Sequence, residues 1–127
     1  MLFLSFVNFT FVCFLFYNIL VDVSSYDQIA PKLEEFKSTR SLNVGSKFSM
    51  FCSPHEGTKP FRFEWFKNGH YLPVLSVTDS KYRIETSEGE SLFIIEKLIQ
   101  TDSGNYSCSV KSNFGSDSQF TVLTVKG

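Results

Sequence analysis

The segment TDSGNYSCSV, residues 101–110, sets Asp102, Gly104, Tyr106, Cys108 and Val110 at even steps of two. Successive side chains of an extended strand point to opposite faces, so residues two apart share one face. Tyr106, Cys108 and Val110 therefore look one way, and Asn105, Ser107 and Ser109 the other. The first set belongs in a core and the second in water, which makes a half-buried β-strand. A cysteine held inward on such a strand needs an inward partner.

The search for that partner starts with what can be set aside. Residues 1–21, MLFLSFVNFTFVCFLFYNILV, carry no ionisable side chain except Cys13 and Tyr17. Such a run is a secretory signal or a membrane anchor rather than part of a fold. Small residues follow at Ser24 and Ser25, and Val23 with Ser25 makes an acceptable cleavage signature, so residues 1–25 are read as a signal peptide cut after Ser25. An uncleaved signal anchor is the alternative. In either case no basic cluster holds the remainder in the cytosol, and its expected place is extracellular, secreted or at the cell surface. Removing the leader takes Cys13 with it and leaves Cys52 and Cys108 of the 3 cysteines. In an oxidising compartment two cysteines in a small domain read as a disulfide.

All 12 Lys and Arg lie beyond residue 25, as do all 13 acids except Asp22, so the mature charge is near zero. Neither nucleic acid nor an anionic membrane surface is an expected partner. Past residue 26 the chain runs in short alternating stretches broken by turns, with no helical period. Phe48, Met50 and Cys52 alternate with Lys47, Ser49 and Phe51; Phe61, Phe63 and Trp65 alternate with Arg62, Glu64 and Phe66. Asn68-Gly69 is a hairpin signal. Residues 82–86 form a short strand, residues 91–95 another with Leu92 and Ile94 inward, and the last strand points Leu123 and Val125 inward. Seven or eight strands at this spacing predict an all-β antiparallel sandwich with Greek-key connections.

Cys52, Trp65 thirteen positions on, and Cys108 with Tyr106 two positions before it form one constellation. The cysteines bridge the facing sheets, the indole covers the sulfurs, and the tyrosine hydroxyl reaches back to main chain at the preceding corner. Arg83 is expected to pair with Asp102 at the end of the sandwich. Gly104 is expected to let the corner turn without a Cβ clash.

With Cys52, Trp65, Leu92, Asp102, Gly104, Tyr106, Cys108 and Gly115 in place, residues 31–126 resemble an immunoglobulin-like domain of the I-set. More narrowly, APKLEEF and GTKPFRFEWFKNGH resemble domains of arthropod Down syndrome cell adhesion molecule-like receptors. Ser112 departs from the pattern, where many such domains carry asparagine, and Asn113 is expected to serve that turn. The resemblance implies recognition by surface contact with a protein, either itself or another immunoglobulin-superfamily chain. It points to cell–cell adhesion, homophilic binding and neuronal wiring such as axon guidance and dendrite self-avoidance. A soluble secreted immune-type binder is the rival reading, and a structural spacer the third. The end at Gly127, directly after the last strand, is expected of one piece of a longer receptor or of a truncated product.

Nothing in the chain asks for an enzyme. His55 and His70 sit near no cluster of acids, cysteines or histidines at ligand spacing and read as exposed loop residues, and both mature cysteines are committed to the bridge. No nucleophile elbow and no phosphate-cradling loop occurs, so no catalytic, cofactor or metal residues and no small-molecule substrate are expected. Asn105-Tyr106-Ser107 is a glycosylation sequon on an outward phase, whereas Asn8-Phe9-Thr10 falls in the leader. By phase Phe51, Phe93 and Ile95 are expected to form an outward apolar cluster, a candidate interface. Phe66, on the opposite sheet, is the reserve.

Overall fold

The computed structural model describes residues 28–74 and 80–127; the leader, with Cys13 and Asn8, lies outside them. In chain order the strands are β1 (Lys32–Leu33), β2 (Thr39–Asn43), β3 (Phe48–Cys52), β4 (Pro54–Glu56) and β5 (Arg62–Lys67). They continue as β6 (His70–Leu72), β7 (Arg83–Thr86), β8 (Ser91–Ile95), β9 (Gly104–Ser112) and β10 (Gly115–Lys126), with a 3-10 turn over Gln100–Asp102. One sheet has the order β2-β10-β9-β5-β6, the other β3-β8-β7, and β1 with β4 makes a small separate ribbon. Every pairing is antiparallel except β2 with β10. This is the all-β immunoglobulin-like sandwich, two sheets closed over one core.

The strands form where the pattern alternates. On β3, Phe48, Met50 and Cys52 are buried while Ser49 and Phe51 are exposed. On β9, Tyr106, Cys108 and Val110 are buried, and Lys111 and Asn105 are exposed. The inward residues of the two sheets meet at the Cys52–Cys108 disulfide, whose Cα atoms are 6.4 Å apart, within the span a bridge accepts. Trp65 lies buried in the same core. Its indole Nε1–H donates to Ser91 Oγ at 2.8 Å, so the one polar atom of the ring is satisfied in the interior. Tyr106 donates its hydroxyl to the carbonyl of Asp102 at 2.5 Å, tying β9 back to the turn before it.

Strand β8 corrects the expected phase. Phe93 and Ile95, not Leu92 and Ile94, point into the core: Met50 pairs with Phe93, Phe48 with Ile95 and Cys52 with Ser91. Residues directly opposite in an antiparallel ladder share a face, so the inward phase of β3 dictates that of β8. The outward phase then holds Leu92, paired with Phe51, and Ile94, which is buried between Ser49 and Arg83 in the two flanking ladders. The physical cause is Ser91. It occupies an inward position because it accepts the Trp65 N–H and bonds Thr86 Oγ1 at 2.8 Å.

The expected Arg83–Asp102 pair is also replaced. Arg83 lies opposite Ile94 on the outer face, where its Nε meets Glu85 Oε1 at 2.9 Å and its Nη1 meets Glu96 Oε1 at 3.1 Å. Asp102 is the last residue of the 3-10 turn and is buried, not on that outer face. Its Oδ2 accepts the Ile99 N–H at 2.8 Å and receives Lys81 Nζ at 2.7 Å. A side chain on the outer face cannot reach through a sheet; Lys81, before β7 begins, is not so constrained.

Burial pushes the Tyr106 phenol well above its ordinary value of 10.0, and the Asp102 carboxylate adds to the rise. A proton held more tightly by the folded than by the unfolded chain contributes stability below the unfolded value and loses it above. Stability is therefore expected to fall above about pH 10 faster in the native chain than in Tyr106→Phe, which has no such proton. Urea midpoints measured at about pH 8 and pH 11 check this; parallel declines would show the phenol to be uncoupled from folding.

Candidate functional site

The ladder registers show how the outer faces of the two sheets are composed. Among the described residues no group of three or more His, Cys, Asp or Glu is placed to hold a metal ion. His55 lies 3.6 Å from Glu34, both near the surface. Of the three residues expected to form an outward cluster, only Phe51 is on the surface, at 50 % exposure; Phe93, at 1 %, and Ile95 belong to the core. What remains on that face is the cross-strand pair Phe51–Leu92.

The larger apolar feature lies on the other sheet. Tyr106 and Cys108 point inward, so Ser107 between them points out. Ser107 stands opposite Phe66 of β5 in one ladder and opposite Phe120 of β10 in the other. Phe66 in turn stands opposite Tyr71 of β6. One row therefore crosses four strands as Phe120, Ser107, Phe66 and Tyr71. Phe120 is 51 % and Tyr71 56 % exposed. The Phe66 and Tyr71 rings meet edge to face with centroids 6.0 Å apart, a favourable geometry that holds both in place.

The row below it is uncharged, and the row above it carries a single charged residue. Below it Asn105 pairs with Val122, and Val122 with Thr39 of β2. Above it Ser109 pairs with Ser118 and with Glu64. Glu64 is held by Lys111 at 3.0 Å and lies 3.8 Å from Arg62, so the charges gather at one end of the face, two bases about one acid.

The hairpin that carries Tyr71 is pinned to β9. Asn68 and Gly69 both have positive φ, 50° and 80°, as a two-residue hairpin turn requires. The Asn68 N–H donates to the Asn105 carbonyl at 2.7 Å, and Asn68 Oδ1 accepts the Asn105 N–H at 2.8 Å. This corrects the role of Gly104: a Cβ there would sit 3.0 Å from Asn68 Oδ1 and 3.2 Å from Lys67 Cε. The glycine makes room for the Asn68 side chain rather than for a tight corner. At the opposite hairpin Ser112, not Asn113, serves the turn, its Oγ accepting the Phe114 N–H at 3.0 Å.

Sequence phase held Phe66 only in reserve and missed Phe120 and Tyr71. Leu123 and Val125 inward already put Phe120 and Val122 outward, and a two-residue turn at Asn68-Gly69 already sets Tyr71 beside Phe66. What the sequence lacks is the register that joins β10 to β5 across β9.

The family model of the immunoglobulin I-set domain matches residues 31–125. The chain belongs to the immunoglobulin I-set family. It is similar to the membrane-bound isoform of pro-neuregulin-1 of Rattus norvegicus, 35 % identical over 97 residues, covering 76 % of this chain and 14 % of that protein. It is also similar to junctional adhesion molecule A of Homo sapiens, 28 % identical over 92 residues, covering 68 % of this chain and 30 % of that one. This I-set chain thus spans less than a third of the length of these relatives. In fold it is similar to the Dscam1 Ig7 domain, isoform 5, with TM-score 0.69 at 19 % identity, covering 78 % of this chain and 99 % of that one. The titin I-band fragment I67–I69 gives a TM-score of 0.65 at 22 % identity, covering 76 % of this chain and 32 % of that one.

Proposed function

We propose that this I-set chain is an extracellular recognition and adhesion module whose contact partner is a second copy of itself, bound through the outer face of the five-stranded sheet. The observation that carries the reading is the row of Phe120, Phe66 and Tyr71 crossing that face. A solvated sheet face normally alternates to polar residues, and contiguous aromatics on it favour contact. The resemblance to adhesion and receptor domains, together with the disulfide, supports an extracellular setting and a protein partner.

Self-contact agrees with the charge pattern. In a two-fold contact each residue meets itself or its symmetry partner, so a charged centre would repel. Here the centre is aromatic and hydroxylic, and a two-fold axis lying in the interface along the Phe120–Tyr71 row sends the Glu64–Lys111 end against the neutral Asn105–Val122–Thr39 row. Strand spacings of roughly 4.8 Å over four strands give a face roughly 15 to 20 Å wide. With three rows spaced roughly 7 Å along the strands the face covers roughly 300–400 Å², less than the about 800 Å² per partner of a standard stable complex, so pairwise affinity is weak and gains strength by multivalency between cell surfaces. Axon guidance and self-avoidance are settings in which such contact would serve.

Sedimentation of unglycosylated protein with its bridge formed is the test. Concentration-dependent self-association is expected, lost in Phe120→Ser/Tyr71→Ser and retained in Phe51→Ser. A strictly monomeric parent would refute the second copy as partner. Equal association in the double variant would refute this face.

A further inference from the structure

The sequon Asn105-Tyr106-Ser107 lies on this same face, and its position there has a consequence. Asn105 is exposed at the start of β9. Its direct ladder partner is Val122, 39 % exposed, and Ser107 of the same sequon separates Phe120 from Phe66. Directly opposite residues have Cβ atoms about 5 Å apart and diagonal ones about 7–8 Å. A branch leaving Asn105 therefore starts beside Val122 and one diagonal step from both Phe120 and Phe66. Its first sugars present C–H faces at the height of an aromatic edge, and two sugars are longer than a strand spacing of about 4.8 Å.

We propose that Asn105 carries an N-linked glycan whose first sugars pack over Val122 and Phe120, covering that end of the aromatic row. The attachment step is balanced. The Asn105 amide nitrogen bonds to the anomeric carbon of a lipid-pyrophosphate-activated oligosaccharide, the lipid pyrophosphate departs with the former bond pair, and the nitrogen loses one proton. Oxidant and reductant are not involved. Asn105 is held in the folded strand by Asn68, and Cys108 is three residues away, so attachment precedes closure of the bridge. Occupancy then decides whether the face is open: a glycosylated chain is shielded there, and a vacant one is free to self-associate. This last consequence, and only this one, rests on the self-contact reading above.

The experiment uses the full chain secreted from eukaryotic cells. Peptide mass analysis is expected to find Asn105 occupied and converted to aspartate on enzymatic release. Asn105→Gln, which removes the acceptor and keeps a neutral amide, is expected to lower Tm by about 4 °C. In a Phe120→Ser/Val122→Ser background the same substitution is expected to leave Tm unchanged, because the sugars have lost the surface they cover. A vacant Asn105 overturns the proposal. So does a Tm difference of equal size in both backgrounds, which would describe a glycan projecting freely into water. Sedimentation separates this from the earlier reading. A glycosylated monomer beside a self-associating Asn105→Gln chain supports both. A coupled Tm effect with no association in either form upholds the glycan packing and removes self-contact.

Discussion

Replacing both cysteines of the bridge, Cys52→Ala/Cys108→Ala, is expected to lower the unfolding free energy by about 2–5 kcal/mol, the loss typical of small secreted domains. The bridge closes a loop with a sequence separation of 56 residues and holds together two sheets that share no ladder hydrogen bond. In the chain-entropy view it restricts the unfolded chain, by about 4 kcal/mol for a loop of this length. It also fills the middle of the core, where both cysteines are wholly buried beside Trp65 and Tyr106. Total stability of a domain this small is usually about 5–15 kcal/mol, so the double variant is expected to be partly unfolded at 37 °C. Urea unfolding followed by Trp65 fluorescence measures it. A midpoint equal to the parent's, with an unchanged slope, would show that the sheets are held by packing alone.

The elements that could be read from the sequence are those whose inward and outward residues differ in kind. On β9, Tyr106, Cys108 and Val110 alternate with asparagine and serines, and at β3 Phe48, Met50 and Cys52 alternate with Lys47 and Ser49, with Phe51 the one apolar residue of the outward set. Phase there follows from hydropathy. On β8 it does not, because Leu92, Phe93, Ile94 and Ile95 are all apolar and fit either face. The deciding residue is Ser91, and its inward place comes from a hydrogen bond to Trp65, twenty-six positions earlier. No local pattern carries that information. The ion pairs failed for a similar reason. Arg83 and Lys81 are both bases near β7, and which of them reaches Asp102 depends on where the strand begins and which face each occupies. The aromatic row lies between these cases. Each member's outward phase was readable, but only the two ladders through Ser107 bring Phe120, Phe66 and Tyr71 into line.

The corrected phase of β8 has the second large expected effect: Phe93→Ala is expected to cost about 3–5 kcal/mol, while Phe51→Ser changes stability by no more than about 0.5 kcal/mol. Phe93 stands among four rings. Its centroid lies 5.4 Å from Trp65, 5.4 Å from Tyr82, 5.5 Å from Tyr106 and 6.4 Å from Phe48. Deleting it opens a cavity against both the indole beside the disulfide and the tyrosine that ties β9 to its corner. Two of these rings cannot relax far, since Trp65 is held by Ser91 and Tyr106 by the Asp102 carbonyl. Phe51 faces water beside Leu92, and its replacement by serine suits a solvated strand. The opposite phase would make Leu92 the core residue and reverse the order of these effects. Urea midpoints of Phe93→Ala, Leu92→Ala and Phe51→Ser rank the two arrangements directly. If Phe93→Ala does not fold, Phe93→Leu keeps most of the volume and is still expected to lose more stability than Leu92→Ala, since it removes every ring contact. A Leu92→Ala loss exceeding that of Phe93→Leu would return Leu92 to the core and with it Phe93 to the surface.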